Sequence, residues 1–552
     1  MSEYDVAIVG GGPVGVALAV ELGQRGVRSV LVERHRAPQR IPKGQNLTNR
    51  TLEHFYFWRC VDELRAARVM PPGYPSGGVT IYRDLKSPYF QTMQWGGRGP
   101  RVQDYFYERG ERLPQYCTEA VLRQRLSALP SVTALFGWNV DSVSQDADHA
   151  TLAISRVDED ADAFYSWSAD AQQQVNQDPH SGARSLEARY VVGCDGGRSL
   201  VRERMGVDRG GRNFDQRMVF VVFRSTELHE FLKRFPDATT YRVMKPELAG
   251  YWQFFGRIDV GESFFFHAPV PADTRQDNYD FLRLLHEAAG FDFQAQLDYV
   301  GFWDLRIMVA TVYRKARMFI AGDACHQHPP YGGFGLNTGL EDARNLGWKL
   351  AARLQGWGGE ALLDSYGQER RPIFVETGEA MIAGAIERDR EFLERYSPER
   401  DVGEFRRAWD ELARSEASAA HTYDPHYAGS SVVMGPAGAS CSIHGELSFR
   451  AAAGHHLAPR ALSNHRNVYE ELGDGFTLLA LDADCSPLED AATSSGLPLP
   501  LKIVRDTFAG ERTAYAARLV LVRPDQYVAW SGDAPPPDPL RLLKRVSGQL
   551  RA

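Results

Sequence analysis

The chain has 552 residues, with 63 Lys and Arg against 71 Asp and Glu, a formal net charge of −8. That length predicts two or three domains with large cores, and the 43% hydrophobic content is that of an ordinary soluble globular protein. No long Lys/Arg run and no apolar stretch of roughly 20 residues occurs, so neither a nucleic acid nor a membrane is an expected partner.

The start, MSEYDVAIVGGG, has no basic leader or apolar signal core, and the cytoplasm is the expected location. Six cysteines fall at 60, 117, 194, 325, 441 and 485 without a CxxC or CxxxxC pair, so reduced, mostly buried thiols are expected.

Residues 5–34, DVAIVGGGPVGVALAVELGQRGVRSVLVER, read as strand, turn, helix, turn and strand. The turn holds Gly10, Gly12 and Gly15 in GxGxxG spacing. Gly10 permits the tight turn, Gly12 lets backbone approach a pyrophosphate, and Gly15 lets the helix pack closely. The helix start offers unpaired N–H groups and a positive dipole end. Glu33 ends the second strand, where a carboxylate accepts hydrogen bonds from a ribose and repels a 2′-phosphate; Arg34 beside it joins the candidate contacts. A dinucleotide is expected here, although the motif does not separate FAD from NAD.

Two later stretches separate them. YVVGCDGGRSLVRERMG (190–206) places a hydrophobic strand before Asp195-Gly196, with Ser199 and Arg202 opening a helix-like run. MFIAGDACHQHPPYGGFGLNTGLEDARNLGWKLA (318–351) is a buried strand ending at Gly322-Asp323, then a Pro pair that delays the helix. Gly332, Gly333 and Gly335 admit a ligand close to backbone, and Leu336, Leu340, Ala343 and Leu346 follow at helical spacing. Cys325, His326 and His328 could suggest a metal module, but structural zinc needs four converging ligands and no second pair is identifiable, so no metal is expected.

These stretches in this order, with LLDSYGQERRP (362–372), resemble the FAD-dependent aromatic hydroxylases of the para-hydroxybenzoate hydroxylase and phenol hydroxylase type, over roughly residues 1 to 375. The resemblance implies that Glu33 holds the adenosine ribose of FAD and Asp323 the ribityl chain. Gly335, Leu336 and Asn337 would offer backbone to the pyrimidine side of the flavin, with Gly333 just before them. Asp195 and Gly196 would support the pyrophosphate region, and Gln115 in RLPQYCTEAVLRQRL would bind the flavin chain. An Arg common near the flavin in this family is replaced by Lys43 or supplied by Arg50, and Pro330 would sit at the gap between flavin and substrate. No second GxGxxG occurs. NADH or NADPH would therefore visit transiently to reduce the flavin. O₂ would then form a flavin C4a-hydroperoxide that hydroxylates a phenolic or related (hetero)aromatic ring.

Between 206 and 315, MVFVVFRST, YRVMKPELAGYWQFFGRI and ESFFFHAPV read as antiparallel strands. Alternation puts Tyr251, Gln253 and Phe255 on one face and Trp252 and Phe254 on the other; Phe265 and His267 oppose Phe264 and Phe266. His267 and Tyr251 are the polar candidates for orienting or deprotonating a phenol, and plain sheet core explains any single aromatic as well.

The expected fold is α/β plus α+β. A Rossmann-like FAD-binding domain (1–205 and 316–375) is interleaved with an antiparallel substrate sheet (206–315). A helical segment (376–420), a surface linker (421–440) and a C-terminal domain (441–552) follow; the last resembles the thioredoxin-like appendage of phenol hydroxylase relatives. It has no CxxC, and packing or a homodimer contact is its expected role. The alternatives are a halogenase or reductase on a similar FAD fold, and a non-catalytic FAD-binding redox sensor; the WxWxIP stretch of flavin halogenases does not occur.

Overall fold

The β-branched run YDVAIV forms the strand Tyr4–Val9, whose last four side chains are buried. In the computed structural model, residues 3–93, 100–157, 183–419, 422–494, 496 and 498–550 are described; 94–99 and 158–182 of the expected FAD-binding domain lie outside them. Tyr4–Val9 is central to a sheet in which Met318–Ile320, Arg184–Gly193, Tyr4–Val9, Ser29–Glu33 and Val132–Phe136 run parallel in that order. Parallel neighbours need crossovers, and the helix Pro13–Gln24 supplies the first. A hairpin, Trp138–Gln145 and Ala150–Arg156, adds antiparallel strands at Arg184–Gly193. The helix Phe334–Leu354 packs along Pro13–Gln24, so the two Gly-rich turns open on the same side.

The second sheet has eight strands, in the order His326–Gln327, Gln296–Ala310, Arg209–Arg224, Ser263–Val270, Gln253–Arg257, Thr240–Met244, Gly78–Tyr82 and Phe90–Met93. The range 206–315 is therefore too narrow. Gly78–Tyr82 joins in parallel beside Thr240–Met244, and His326–Gln327 pairs with Met308 and Val309. One face, including Val221, Phe223, Phe255, Phe264 and Phe266, shares a core with the helices Thr226–Leu232 and Phe281–Ala289. The other face, including Met218, Phe220, Phe254 and Phe265, shares its core with Tyr331 and the parallel-sheet domain. Tyr251 breaks the expected alternation. Ala249 (φ 48) and Gly250 (φ 83) turn the chain just before it, the strand begins only at Gln253, and Tyr251 packs with Trp252 and Phe254 instead of Phe255.

No boundary falls at 376. The helix Glu360–Glu376 passes through a π-helical stretch, Thr377–Ala383, into the helix Gly384–Arg395. The stretch 421–440 is not a surface linker; residue 421 lies outside the described residues. Tyr423–His426 pairs with Ser442–His444, Tyr427 and Val433 are fully buried, and Ser430 Oγ donates to Glu369 Oε1 at 2.6 Å. The Gly/Ser/Pro content serves close packing here. In the C-terminal domain the strands run Leu501–Asp506, Phe476–Leu481, Leu519–Val522, Val528–Gly532. The first pair is parallel and the others antiparallel, with helices Ser486–Ser494 and Pro539–Val546, as in thioredoxin-like folds. Among the described residues no helix is long and apolar enough to cross a membrane.

Candidate active site

The three glycines of the first turn do different work. A Cβ on Gly10 (φ +99) would lie 2.4 Å from the Cys194 carbonyl oxygen, and one on Gly15 would lie 1.9 Å from the Gly10 oxygen. Those two serve packing. A Cβ on Gly12 would meet nothing within 4 Å. Gly12 fronts a cavity of ≈ 440 Å³ that Glu33, Arg34, Lys43, Gln115, Asp195, Gly196 and Arg198 also line. Open space before a helix N-terminus, rimmed by cations, suits the pyrophosphate of FAD.

The Glu33 carboxylate accepts hydrogen bonds from the Gly11 and His35 N–H groups, at 2.5 and 2.7 Å, which fix it at the cavity rim. Asp195 Oδ2 accepts from the Val201 N–H at 3.2 Å, while Oδ1 is buried without a partner; burial raises this carboxyl. Gln115 Nε2 donates to Glu119 Oε1 at 2.8 Å, and Lys43 Nζ to Gln39 Oε1 at 3.2 Å. A Cβ on Gly44 would touch both Leu336 and Gln115, so the segment after Glu33 and the second Gly-rich turn converge. Asp323 follows the strand Met318–Ile320 and is exposed at its surface, while desolvation by the surrounding protein raises its carboxyl.

Gly332 (φ 71) and Gly333 (φ 72) make the turn into the helix Phe334–Leu354. The side chain of Asn337 is spent on structure. Its Nδ2 donates to the Asn46 and Gly333 carbonyls, and its Oδ1 accepts from Thr48 N–H and Thr51 Oγ1. This leaves backbone as what Gly335, Leu336 and Asn337 can offer a flavin. Arg50 is placed elsewhere. Its guanidinium is taken by Glu341 at 3.1 Å, Glu53 at 3.0 Å and the Asp525 carbonyl at 2.6 Å. Two buried carboxylates and the C-terminal domain draw it away, and of the two candidates it is Lys43 that lines the cavity.

The Cys325–His326 pair does join a cluster with Asp342, whose potential ligand atoms lie within 4.8 Å of one another. Asp342 is already engaged: Oδ2 pairs with His326 Nε2 at 2.6 Å and accepts from Gly322 N–H, and Oδ1 accepts from Arg370 Nε at 2.7 Å. Burial also pushes the Cys325 thiol well up. The cluster is a buried carboxylate, ion-paired with Arg370 and hydrogen-bonded to His326, that braces the turn after Ile320. His328 stacks on Phe374 at 5.0 Å, and burial first, then His326, lowers it to about 4.

On the sheet wall, His267 is surrounded by the rings of Phe220, Phe254, Phe265 and Trp303. Burial lowers it to about 3, and its Nδ1 has no hydrogen-bond partner. Tyr251 donates its hydroxyl to the Phe214 carbonyl at 3.4 Å. Pro330 (φ −68) precedes Tyr331, which stacks on Trp252 at 4.5 Å and accepts from the Trp252 N–H. Tyr331 and Trp303 were not singled out from the sequence; their placement depends on strand register, which no local pattern carries.

Comparisons with known proteins bear on the family and the fold. A family model described as FAD binding domain matches residues 3–379, and one described as aromatic-ring hydroxylase, C-terminal, matches 450–549. The 4-methyl-5-nitrocatechol 5-monooxygenase of a Burkholderia species is 30% identical over 558 residues, covering 96% of this chain and 94% of that protein. The tetracenomycin B2 monooxygenase-dioxygenase of Streptomyces olivaceus is 29% identical, covering 100% and 99%. The substrate-free rebeccamycin biosynthetic enzyme REBC superposes with a TM-score of 0.78 at 26% identity, over 99% of both chains. The chain belongs to the FAD-dependent monooxygenases that carry an aromatic-ring hydroxylase C-terminal domain. It is an FAD-dependent aromatic monooxygenase.

Proposed function

We propose that this protein uses NADH or NADPH and O₂ to hydroxylate a phenolic or related hydroxylated (hetero)aromatic ring. One oxygen atom enters a ring C–H bond, and the other leaves as water with two electrons and a proton balance supplied by the nicotinamide and solvent. FAD, when bound, supplies the electron transfer and O₂ activation. The chain's own residues bind, orient and exclude water. Gly12 backbone meets the pyrophosphate, Glu33 the adenosine ribose, and Asp323 the ribityl hydroxyls. The Gly335–Asn337 backbone offers donors to the pyrimidine edge.

One observation carries the reading. The aromatic sheet face of Phe220, Phe254 and Phe265 lies in the same continuous core as Tyr331 and Leu336 at the second Gly-rich turn. A planar ring bound against that face is stacked, dry and next to the cradle. The catechol in the name of the Burkholderia relative supports a hydroxylated ring as substrate. With no second GxGxxG, a transient nicotinamide fits better than a resident one.

The test is FAD-reconstituted protein with a panel of hydroxyarenes. NADH or NADPH oxidation and O₂ uptake should rise together with ligand, and product mass should show one ¹⁸O atom from labelled O₂. Nicotinamide oxidation without incorporation for every ligand would overturn the proposal.

A further inference from the structure

We propose that His267 accepts a hydrogen bond from the ring hydroxyl of the substrate while Trp303 donates one to the same oxygen, so that these two side chains orient the ring and neither removes its proton. This deepens the monooxygenase reading and rests on it.

The placement follows from register. Phe254, His267, Phe220 and Gly301 are successive partners across four strands, so they form one row on the face that shares its core with the cradle. Around the imidazole, ring centroids lie at 4.6 Å (Phe220), 4.9 Å (Phe254), 5.8 Å (Phe265) and 5.9 Å (Trp303). Trp303 belongs to the neighbouring row, opposite Met218.

Two polar atoms stand out in this apolar setting. His267 Nδ1 and Trp303 Nε1 are both buried without a hydrogen-bond partner. Native folds pair nearly all such atoms. An indole N–H can only donate, and a neutral imidazole offers one acceptor nitrogen. A phenolic hydroxyl both donates and accepts, so one hydroxyl entering between the two rings, whose centroids lie 5.9 Å apart, would satisfy the pair. A carboxylate does not, because it cannot donate to the imidazole. A methyl ether does not either, for the same reason.

None of the rings around His267 is charged or titrates near neutrality, and burial alone lowers its pKa, to about 3. The imidazole is therefore neutral at working pH, an acceptor too weak as a base to hold the substrate's proton. The other polar candidate, Tyr251, is committed to the Phe214 carbonyl.

The experiment uses the full-length FAD-loaded protein, with 2-naphthol and 2-methoxynaphthalene as probes. Affinity is read from the flavin absorption shift and from tryptophan quenching. His267→Phe should weaken 2-naphthol about tenfold or more, the loss of one buried hydrogen bond, and leave the methyl ether within about twofold. His267→Asn, which keeps an acceptor, should restore most of the loss, and Trp303→Phe should reproduce part of it. The pH dependence of 2-naphthol binding should follow naphthol's own ionisation, with no added inflection. Equal weakening of both probes would make His267 a packing residue and overturn the inference, as would no weakening of either. A wild-type protein that turns over hydroxyarenes while His267→Phe behaves identically overturns the inference alone. A wild-type protein that neither binds the probes nor turns over any hydroxyarene overturns the monooxygenase reading with it.

Discussion

Arg523 of the C-terminal domain donates two hydrogen bonds to the Glu369 carboxylate of the FAD-binding domain, at 2.7 and 2.9 Å, with both side chains essentially inaccessible. Lys349, Asn345 and Ser430 also donate to Glu369, and Asp525 holds the far side of the guanidinium. Arg344 and Arg50 reach the carbonyls of Pro524 and Asp525. The stretch RPDQ thus plugs a charged, dry seam between two domains.

Removing one partner of such a pair leaves a buried charge uncompensated, at a cost of about 3–5 kcal/mol. Arg523→Met should lower stability by that amount in urea unfolding. A chain ended before residue 440 should be insoluble, because Arg50, Arg344 and Glu369 would lose partners together. A soluble truncated protein with wild-type activity would refute this account of the seam.

Gly12→Ala and Gly15→Ala should behave differently. Gly12 (φ −67) has open space around a new Cβ, so the alanine chain should fold and melt like wild type while losing FAD. The Gly15 substitution drives a methyl into the Gly10 carbonyl and should depress folding itself. Melting temperature and bound flavin per chain separate the two outcomes.

Asp323→Asn should weaken FAD binding by roughly 10- to 100-fold, as expected for a lost charge-assisted hydrogen bond of ~1.5–3 kcal/mol. FAD-free protein should respond in the opposite sense. Burial raises the native pKa of Asp323 above its unfolded value, so protonation is favoured by folding. The Asp323 group adds stability as pH falls towards that raised value and loses it as pH rises through it. FAD-free Asp323→Asn should therefore be at least as stable as wild type at pH 7, by thermal melting.

Glu21 predicts part of the acid limb. Burial raises its carboxyl, but Arg344 and Arg25 outweigh that and hold it at about 2, below its ordinary 4.5. Its contribution, on the order of 3 kcal/mol, is present above the unfolded pKa and is lost as pH falls through about 2. Glu21→Gln should be less stable at pH 6 and show a shallower loss of stability between pH 4.5 and 2.

Chelation should change nothing. Asp342 is held between His326 and Arg370, so dialysis against EDTA should leave melting temperature and flavin content unaltered. A drop in either would restore Cys325, His326 and Asp342 as metal ligands.

Much of the cradle was legible before any coordinates. GxGxxG, the acid at the end of the next strand and the Gly-rich turn after Asp323 are local patterns, and local backbone chemistry dictates them. Local pattern misleads where distant segments decide. Arg50 lies in the stretch that follows Glu33, yet Glu341, Glu53 and the C-terminal domain claim it. Tyr251 fits a period-2 pattern until two left-handed residues before it reset the face. The Gly/Ser/Pro run after 426 looks like exposed linker until Tyr427, Val432 and Val433 are seen buried.

By itself the sequence determined a dinucleotide site, the strand–turn–helix units that cradle it and the absence of a second nucleotide motif, and the resemblance to the aromatic hydroxylases made that dinucleotide FAD. The site itself follows from what glycine, a helix start and a β-branched run do over a dozen residues. Only the tertiary structure decided which side chains face one another across four strands, and so that His267 and Trp303, each with a buried nitrogen that has no partner, pack ring against ring. Cross-strand register and interdomain ion pairs are set by contacts hundreds of residues apart, and no local pattern encodes them.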